Sequence, residues 1–281
     1  MRPRPGLRLV LVTAALASAA CFSRRATAAE WPAEDKTLPC RPTIACTADI
    51  IPPGTFEIEA GALVRQLGPN TRQWSFPFLA KLTLSPWVQV QAGSNGYTAS
   101  RGDAPSSFFD DAELVVKIHL VDQSELAPSV SFSVQANLPT ASGQLGYLPT
   151  YDALFTAYIT KDFGPLHADW NVGLNEWRLF DRASALPQES TALALSVPLA
   201  GPFGAMVEGY YFTNAAPVAP RDGGVLFAIS HAARQWLIFD AGGDAGFFPS
   251  SREYSVFVGM SIVPAVLWRT TGPAPAAATS P

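Results

Sequence analysis

Hydrophobic and polar side chains alternate along most of the chain after residue 55, in segments of roughly ten residues separated by turns rich in Pro, Gly, Asn, Asp and Ser. Within one segment, Val130 and Phe132 alternate with Ser131 and Ser133. A repeat of two is the spacing of a β-strand, whose successive side chains point to opposite faces, whereas a helix repeats every 3.6 residues. The pattern therefore predicts strands and requires no helix.

Twelve segments fit this template, and the connections between them alternate in length. The segments are 56–64, 74–84, 88–93, 112–120, 130–138, 153–160, 166–174, 191–199, 204–212, 224–231, 236–245 and 254–262. The short connections are 85–86, 121–127, 161–165, 200–203 and 232–235, and the long ones are 67–72, 94–110, 139–152, 175–190, 213–223 and 246–253. An even number of strands with this alternation is typical of transmembrane barrels. We predict an all-β fold: an up-and-down antiparallel transmembrane β-barrel of about 12 strands over residues 55–262.

The composition favours a barrel that faces lipid. The chain is 48% hydrophobic but only 15% charged, with a mean hydropathy of +0.15, whereas soluble domains contain about 25% charged residues. One face of the predicted strands is continuously apolar, as lipid requires, while a soluble barrel with an apolar core stays the alternative. The hydrophobic content excludes a disordered chain, and the 25 Pro and 21 Gly exclude a coiled coil. A pI near 5.4 without a basic patch argues against nucleic-acid binding.

Aromatic residues cluster near the segment ends, where they would form belts at the two membrane interfaces. The candidates are Phe56, Trp74, Trp87, Phe163, Trp177, Phe203, Tyr211, Trp236, Phe247 and Tyr254. A 12-strand barrel has a narrow interior. We expect inward-pointing Tyr210 and Trp236 to narrow it further.

The N-terminus, residues 1–29, has the order of a secretory signal peptide: basic residues, an apolar run over 9–20, then small residues. The run is shorter than the about 20 residues that a spanning helix needs. We expect cleavage after Ala28, with lipidation of Cys21 as the alternative. The signal holds five of the 19 basic residues and no acidic one, so the mature chain has 14 basic against 23 acidic residues, a net charge of −9.

Residues 30–54 are expected to form a periplasmic leader that contains Cys40 and Cys46. In an exported protein, two cysteines at this spacing predict a small disulfide-closed loop. The sequence leaves open whether the loop plugs or caps the barrel or is a stabilised leader. Residues 263–281, rich in Pro and Ala towards the end, are expected to be a disordered C-terminal tail.

The polar positions of the alternating pattern are the candidate lumen-lining residues. They are Glu57, Glu59, Lys81, Gln89, Glu113, Lys117, Gln135, Asn137, Glu208, Tyr210, Asp240 and Asp244. Charged networks inside barrels hold neighbouring strands together or bias permeation. We expect this role for them and no catalytic role.

Other chemistries have weaker support in the sequence. His119, His167 and His231 lie in separate segments, and no G-x-S-x-G motif accompanies them, so lumen or turn histidines are favoured over a hydrolase site. Acidic residues over 103–111 do not have the spacing of a calcium-binding loop, which favours a solvated loop. We expect no enzyme activity, no cofactor, no metal ion and no nucleic acid.

Several segments resemble an outer-membrane channel family labelled as MetA-pathway phenol-degradation transporters. They are FDDAELVVKIHLVD (109–122), APSVSFSVQANLPTA (127–141), MVEGYYF (206–212), DGG (222–224), FDAGGDAGF (239–247) and YSVFVGMSI (254–262). The resemblance covers roughly residues 55–262. It implies an outer-membrane barrel of a Gram-negative-type envelope, surrounded by the lipid bilayer, that lets small hydrophobic or aromatic compounds pass.

The alternative function is a structural or surface-interaction barrel that binds partners through long loops at 94–110 and 175–190. The sequence does not settle where the last strand ends, because Val263 and Pro264 follow Ile262 where such barrels usually close on an aromatic residue.

Overall fold

The computed structural model describes residues 36–103, 105–143, 151–177, 186–214, 221–248 and 253–269, and every regular element in these ranges is a β-strand. The expected signal peptide, Cys21 and the end of the expected C-terminal tail lie outside the described residues. Among the residues described, no helix is long and apolar enough to span a membrane.

Fifteen strands are described, and their inward and outward faces follow the alternation in the sequence. They are β1 (Thr55–Gly68), β2 (Thr71–Ser75), β3 (Phe78–Ser85), β4 (Val88–Ser94), β5 (Tyr97–Arg101), β6 (Ser106–Phe109), β7 (Ala112–Val121), β8 (Ser129–Leu138), β9 (Asp152–Phe163), β10 (Leu166–Trp177), β11 (Leu186–Pro198), β12 (Phe203–Phe212), β13 (Asp222–Arg234), β14 (Leu237–Gly246) and β15 (Tyr254–Val266).

The strands form one antiparallel sheet that closes on itself, because β15 pairs with β1 from Thr55↔Val266 to Gln66↔Tyr254. Three wall strands are interrupted. Strands β2 and β3 lie end to end beside β1. Strands β5 and β4 form the next wall strand, and β6 and β7 form the one after it. Counting each interrupted pair as one gives a closed 12-stranded barrel. The predicted fold class is confirmed.

The prediction of long connections at 67–72 and 94–110 is wrong. Residues 69–70 alone join β1 to β2, and β5 and β6 occupy much of 94–110. Gly96, in a predicted long connection, marks an interruption of a wall strand and has a positive φ of 66°, and Pro77 interrupts the predicted segment 74–84 between β2 and β3. The wall is therefore taller on this side than the sequence indicated.

The last strand runs past Ile262 to Val266, with Pro264 inside it. The Leu267 N–H donates to the Gly54 carbonyl (2.8 Å), which ties the chain after β15 to the start of β1. This fixes the strand end that the sequence left open.

The two ends of the barrel differ. One, the short-turn end, carries the connections 86–87, 122–128, 164–165, 199–202 and 235–236, together with the start of β1 and the end of β15. The other, the long-link end, carries 69–70, 102–105, 139–151, 178–185, 213–221 and 247–253. Trp236 lies in a short turn and is exposed. The prediction that Trp236 narrows the lumen is therefore wrong.

Most polar strand side chains point into the barrel and most apolar ones point outwards, although an interior apolar cluster includes Leu63, Leu226 and Phe257. In β7, Leu114 and Val116 are 50% and 45% exposed, whereas Lys117 and His119 are 2% and 6% exposed. This distribution is the reverse of that in a soluble protein, whose charged residues are rarely buried.

Candidate functional site: the barrel lumen

Residues 36–54, here called the plug segment, lie inside the barrel. The segment begins at the short-turn end, where the Thr37 N–H donates to the Gln235 carbonyl (3.0 Å). A disulfide joins Cys40 to Cys46, as the sequence predicts. Ala48 is completely buried. The sequence did not place this segment in the lumen, and its interior position decides what the lumen can do.

Three charged side chains hold the first part of the plug segment. Glu57 and Lys81 are opposite each other on β1 and β3, and the Lys81 ammonium lies 2.8 Å from Glu57 and also contacts Glu59. The carboxylates receive backbone N–H groups from Leu38 and Cys40, both at 2.9 Å. All three charges are at most 2% exposed. Two carboxylates share one ammonium here, and plug N–H groups supply the remaining hydrogen bonds.

Arg41 reaches from the plug segment to the barrel wall through a gap left by two glycines. Its N–H donates to Glu59 (2.8 Å), and its guanidinium lies 3.3 Å from Asp240 of β14. Gly61 and Gly259 are opposite each other on β1 and β15, and a Cβ on either would overlap the guanidinium. The backbone must approach the arginine closely, which is a position that favours glycine.

This slot gives a prediction. Replacing Gly259 by alanine is expected to displace the Arg41 guanidinium and to weaken the local hold on the plug segment by about 1–3 kcal/mol, the usual cost of overpacking. Hydrogen exchange of the peptide over residues 38–48 should become faster. Gly209→Ala is the matched control, because nothing lies within 4 Å of a Cβ there. Equal exchange in G259A and the wild type would contradict the slot.

Glu208 of β12 holds the turn of the plug segment. Its carboxylate, completely buried, accepts the N–H groups of Ile44 (2.8 Å) and Ala45 (3.2 Å). In the described part of the chain no cation pairs with this carboxylate. The hydrogen bonds that stabilise this buried carboxylate therefore come from the backbone of the plug segment.

A third set of contacts clamps the peptide groups of Ala48. Its N–H donates to the Thr160 hydroxyl (2.6 Å), and its carbonyl accepts from Ser131 and lies 3.3 Å from His119 Nδ1. The clamp residues come from three different strands, β7, β8 and β9.

Lys117 completes the hold on this side of the lumen. Its ammonium donates to the carbonyls of Thr47 and Asp49 and lies 4.5 Å from the centre of the Tyr158 ring. Both the plug backbone and an aromatic face stabilise this buried cation.

The remaining predicted lumen residues face the interior beside or above the plug segment. Gln135 donates to Glu113 and to Asn137, both at 2.9 Å, and all three are half-buried. The other three are buried: Gln89 donates to Thr83 (3.0 Å), Tyr210 to Asp244 (3.4 Å), and Asp244 accepts from Ser255 (2.8 Å). The structure thus brings the twelve candidates to one interior surface; their part in permeation is taken up below.

A cavity of about 290 Å³ lies between the plug segment and the wall. Plug residues Cys40, Arg41 and Thr43 line one side, and Asp110, Asp111, Glu113 and Asn137 are among the wall residues. The Asp111 carboxylate accepts hydrogen bonds from the N–H groups of Thr140 (2.9 Å) and Ala141 (2.8 Å). No group of three or more metal-ligating side chains occurs in the part of the chain that the structure describes.

Ser131, His119 and Asp122 have contacts like those of a hydrolase triad, with His119 at 3.1 Å from the serine and 2.9 Å from the aspartate. Ser131 is completely buried, and its hydroxyl donates to the plug segment at Ala48. A nucleophile must reach its substrate. The group therefore holds the plug segment and offers no access for a substrate.

Comparisons with known proteins add to the fold. No protein-family model matches the sequence, and no curated protein is a significant sequence match. Among solved structures, an outer-membrane channel from Pseudomonas putida F1 is 11% identical, with 76% of this chain and 97% of that chain covered and a TM-score of 0.56.

Two further structures have lower TM-scores. The KdgM porin is 10% identical (73% and 98% covered, TM-score 0.47), and the translocator domain of the autotransporter NalP from Neisseria meningitidis is 11% identical (74% and 88% covered, TM-score 0.42). At these identities the likeness concerns the fold alone: the chain has a closed barrel like that of the P. putida channel.

Proposed function

We propose that this protein is a passive outer-membrane channel for small solutes, and that the plug segment narrows its lumen. The distribution of side chains carries this proposal: apolar residues cover the outer wall, while most of the charged strand residues face the interior. Lipid requires an apolar surface and a closed set of backbone hydrogen bonds, and a barrel supplies both. The fold likeness to an outer-membrane channel supports the same location.

The lumen has a polar region on the long-link side of the plug segment. Glu113, Gln135 and Asn137 lie along this side, and the cavity beside the plug segment adjoins them. Carboxylates outnumber cations among the cavity-lining residues, with Arg41 as the cation. Such a lining favours cations over anions.

The finer proposal is that the solutes are small hydrophobic or aromatic compounds that move down their gradient without a cofactor. It rests on the sequence resemblance described above. The rival function, a surface-interaction barrel, depends on long loops, and one of the two loops expected for it is largely barrel wall in β5 and β6. The other overlaps residues 178–185, which lie outside the described residues.

Solute entry into proteoliposomes tests both the channel and its preference for aromatic solutes. We expect benzyltrimethylammonium, an aromatic cation that cannot cross lipid unaided, to enter faster than into protein-free liposomes and faster than tetramethylammonium. Conductance of the same preparation in planar bilayers provides an independent reading.

The outcomes separate the channel from its aromatic preference. No flux of either cation above that of protein-free liposomes would refute the channel. Equal flux of the two cations would retain the channel and refute the aromatic preference.

A further inference from the structure

Two arginines face each other on the outer wall at the long-link end. Arg72 of β2 is directly opposite Arg101 of β5 in the antiparallel register, and both are exposed. Ser75 and Thr98, each three residues from one of these arginines, are also opposite each other and are 2% and 3% exposed. Because successive side chains alternate between faces, the buried pair points inwards and the arginine pair points outwards.

The arginine pair lacks a negative partner in the described chain. Like charges directly opposite each other destabilise a sheet. Arg72 donates to the Gln66 side chain (3.3 Å), and the Arg101 guanidinium lies 5.5 Å from the centre of the Trp74 ring. Within the described ranges, neither guanidinium forms an ion pair with a carboxylate. An anion between them would turn the repulsion into attraction.

The height of the pair on the wall indicates where such an anion would be. Trp74 and Ala99 form the next outward pair towards the barrel middle, and Tyr97 packs edge-on against Phe109 (5.4 Å) one pair further. Outward aromatic rings mark the membrane interface. Arg72 lies two residues beyond Trp74, about 7 Å further along the tilted strand towards the long-link end. This is the level of the charged headgroups.

We infer that Arg72 and Arg101 together bind a phosphate group of lipid A, the phosphorylated glycolipid of the outer leaflet. Planar guanidinium groups bind phosphate oxygens in pairs, and the Trp74 face holds Arg101 in position. The inference rests on the proposed outer-membrane location, with the long-link end facing outwards.

Binding of diphosphorylated lipid A to the folded protein in detergent, measured by native mass spectrometry, tests the inference. We expect the double variant R72Q/R101Q to bind about tenfold more weakly or worse, because it loses charge-assisted hydrogen bonds. R72K/R101K should be intermediate, since lysine keeps the charge without the planar fork. Arg234→Gln, an exposed arginine at the short-turn end, is the matched control and should bind as the wild type does.

Three results would overturn the inference. They are equal lipid A affinity in R72Q/R101Q and the wild type, equal wild-type affinity for lipid A without phosphates, and full competition by millimolar inorganic phosphate, which would indicate a free-anion site. Heat-modifiable gel mobility verifies folding, and the single variants R72Q and R101Q replace the double variant if it does not fold. Conductance of the same preparation separates this test from that of the channel: a barrel that binds lipid A but conducts no ions would refute the channel alone.

Discussion

Replacing Lys81 by methionine should destabilise the folded barrel by about 3–5 kcal/mol, the usual cost of removing one partner of a buried ion pair. Methionine retains much of the side-chain shape but leaves the Glu57 and Glu59 carboxylates, both completely buried, without their shared cation. The Leu38 carbonyl of the plug segment also loses the ammonium that donates to it (2.8 Å). Barrel wall and plug segment should therefore weaken together.

Urea unfolding of the protein in lipid vesicles measures this loss as a shift of the transition midpoint. Lys161→Met is the matched control: its ammonium donates to carbonyls in the exposed 122–128 turn, and we expect a change below about 1 kcal/mol. The triple variant K81M/E57Q/E59Q should regain much of the stability, because it replaces the whole charged group by neutral side chains. An unchanged midpoint in K81M would show that the charged group does not stabilise the barrel.

The sequence predicted the barrel well because the strand pattern is local. Each strand needs only its own alternation to expose apolar and bury polar residues, as Leu114 and Lys117 show in β7. Pairing between sequence neighbours then follows from the short connections. Errors arose at turn-forming residues: the region after Gly96, predicted to be a loop, forms the wall strands β5 and β6, and Pro77 divides the predicted segment 74–84 into β2 and β3.

The plug segment could not be placed from sequence, because its position depends on contacts far along the chain. Ile44 is held by Glu208, and Ala48 by Thr160. Residues 36–54 do not alternate, so no period indicates which side chains point at the wall. The polar positions of the strands correctly indicated inward groups, but not that the plug backbone would supply many of their hydrogen bonds.

The glycine pair could be predicted from the sequence only in part. Gly61 and Gly259 fall on the inward face of their strands, but the sequence alone does not indicate that a small residue is required there. Once the register of β1 against β15 is known, the two become neighbours, and the gap they leave matches an arginine. That Arg41 fills this gap depends in addition on the path of the plug segment through the lumen.

Replacing residues 38–50 by a Gly/Ser segment of equal length is expected to raise single-channel conductance several-fold. The exchange removes Arg41, the disulfide and the defined backbone donors and acceptors that meet Glu59, Glu208 and Lys117. A Gly/Ser chain is a flexible coil and cannot keep one path across the lumen. The charged wall residues would then be hydrated, because the space they face opens to water.

The control is a Gly/Ser exchange of the exposed short turn 199–202, which should leave conductance unchanged. Planar-bilayer recordings at several salt concentrations would show whether the opened lumen prefers cations, as its excess of carboxylates predicts. A conductance equal to that of the wild type after the plug exchange would mean that another part of the barrel limits ion passage. A large rise would identify the plug segment as the element that keeps the channel narrow, and would place the control of permeation in contacts that Glu59, Glu208 and Lys117 make with it.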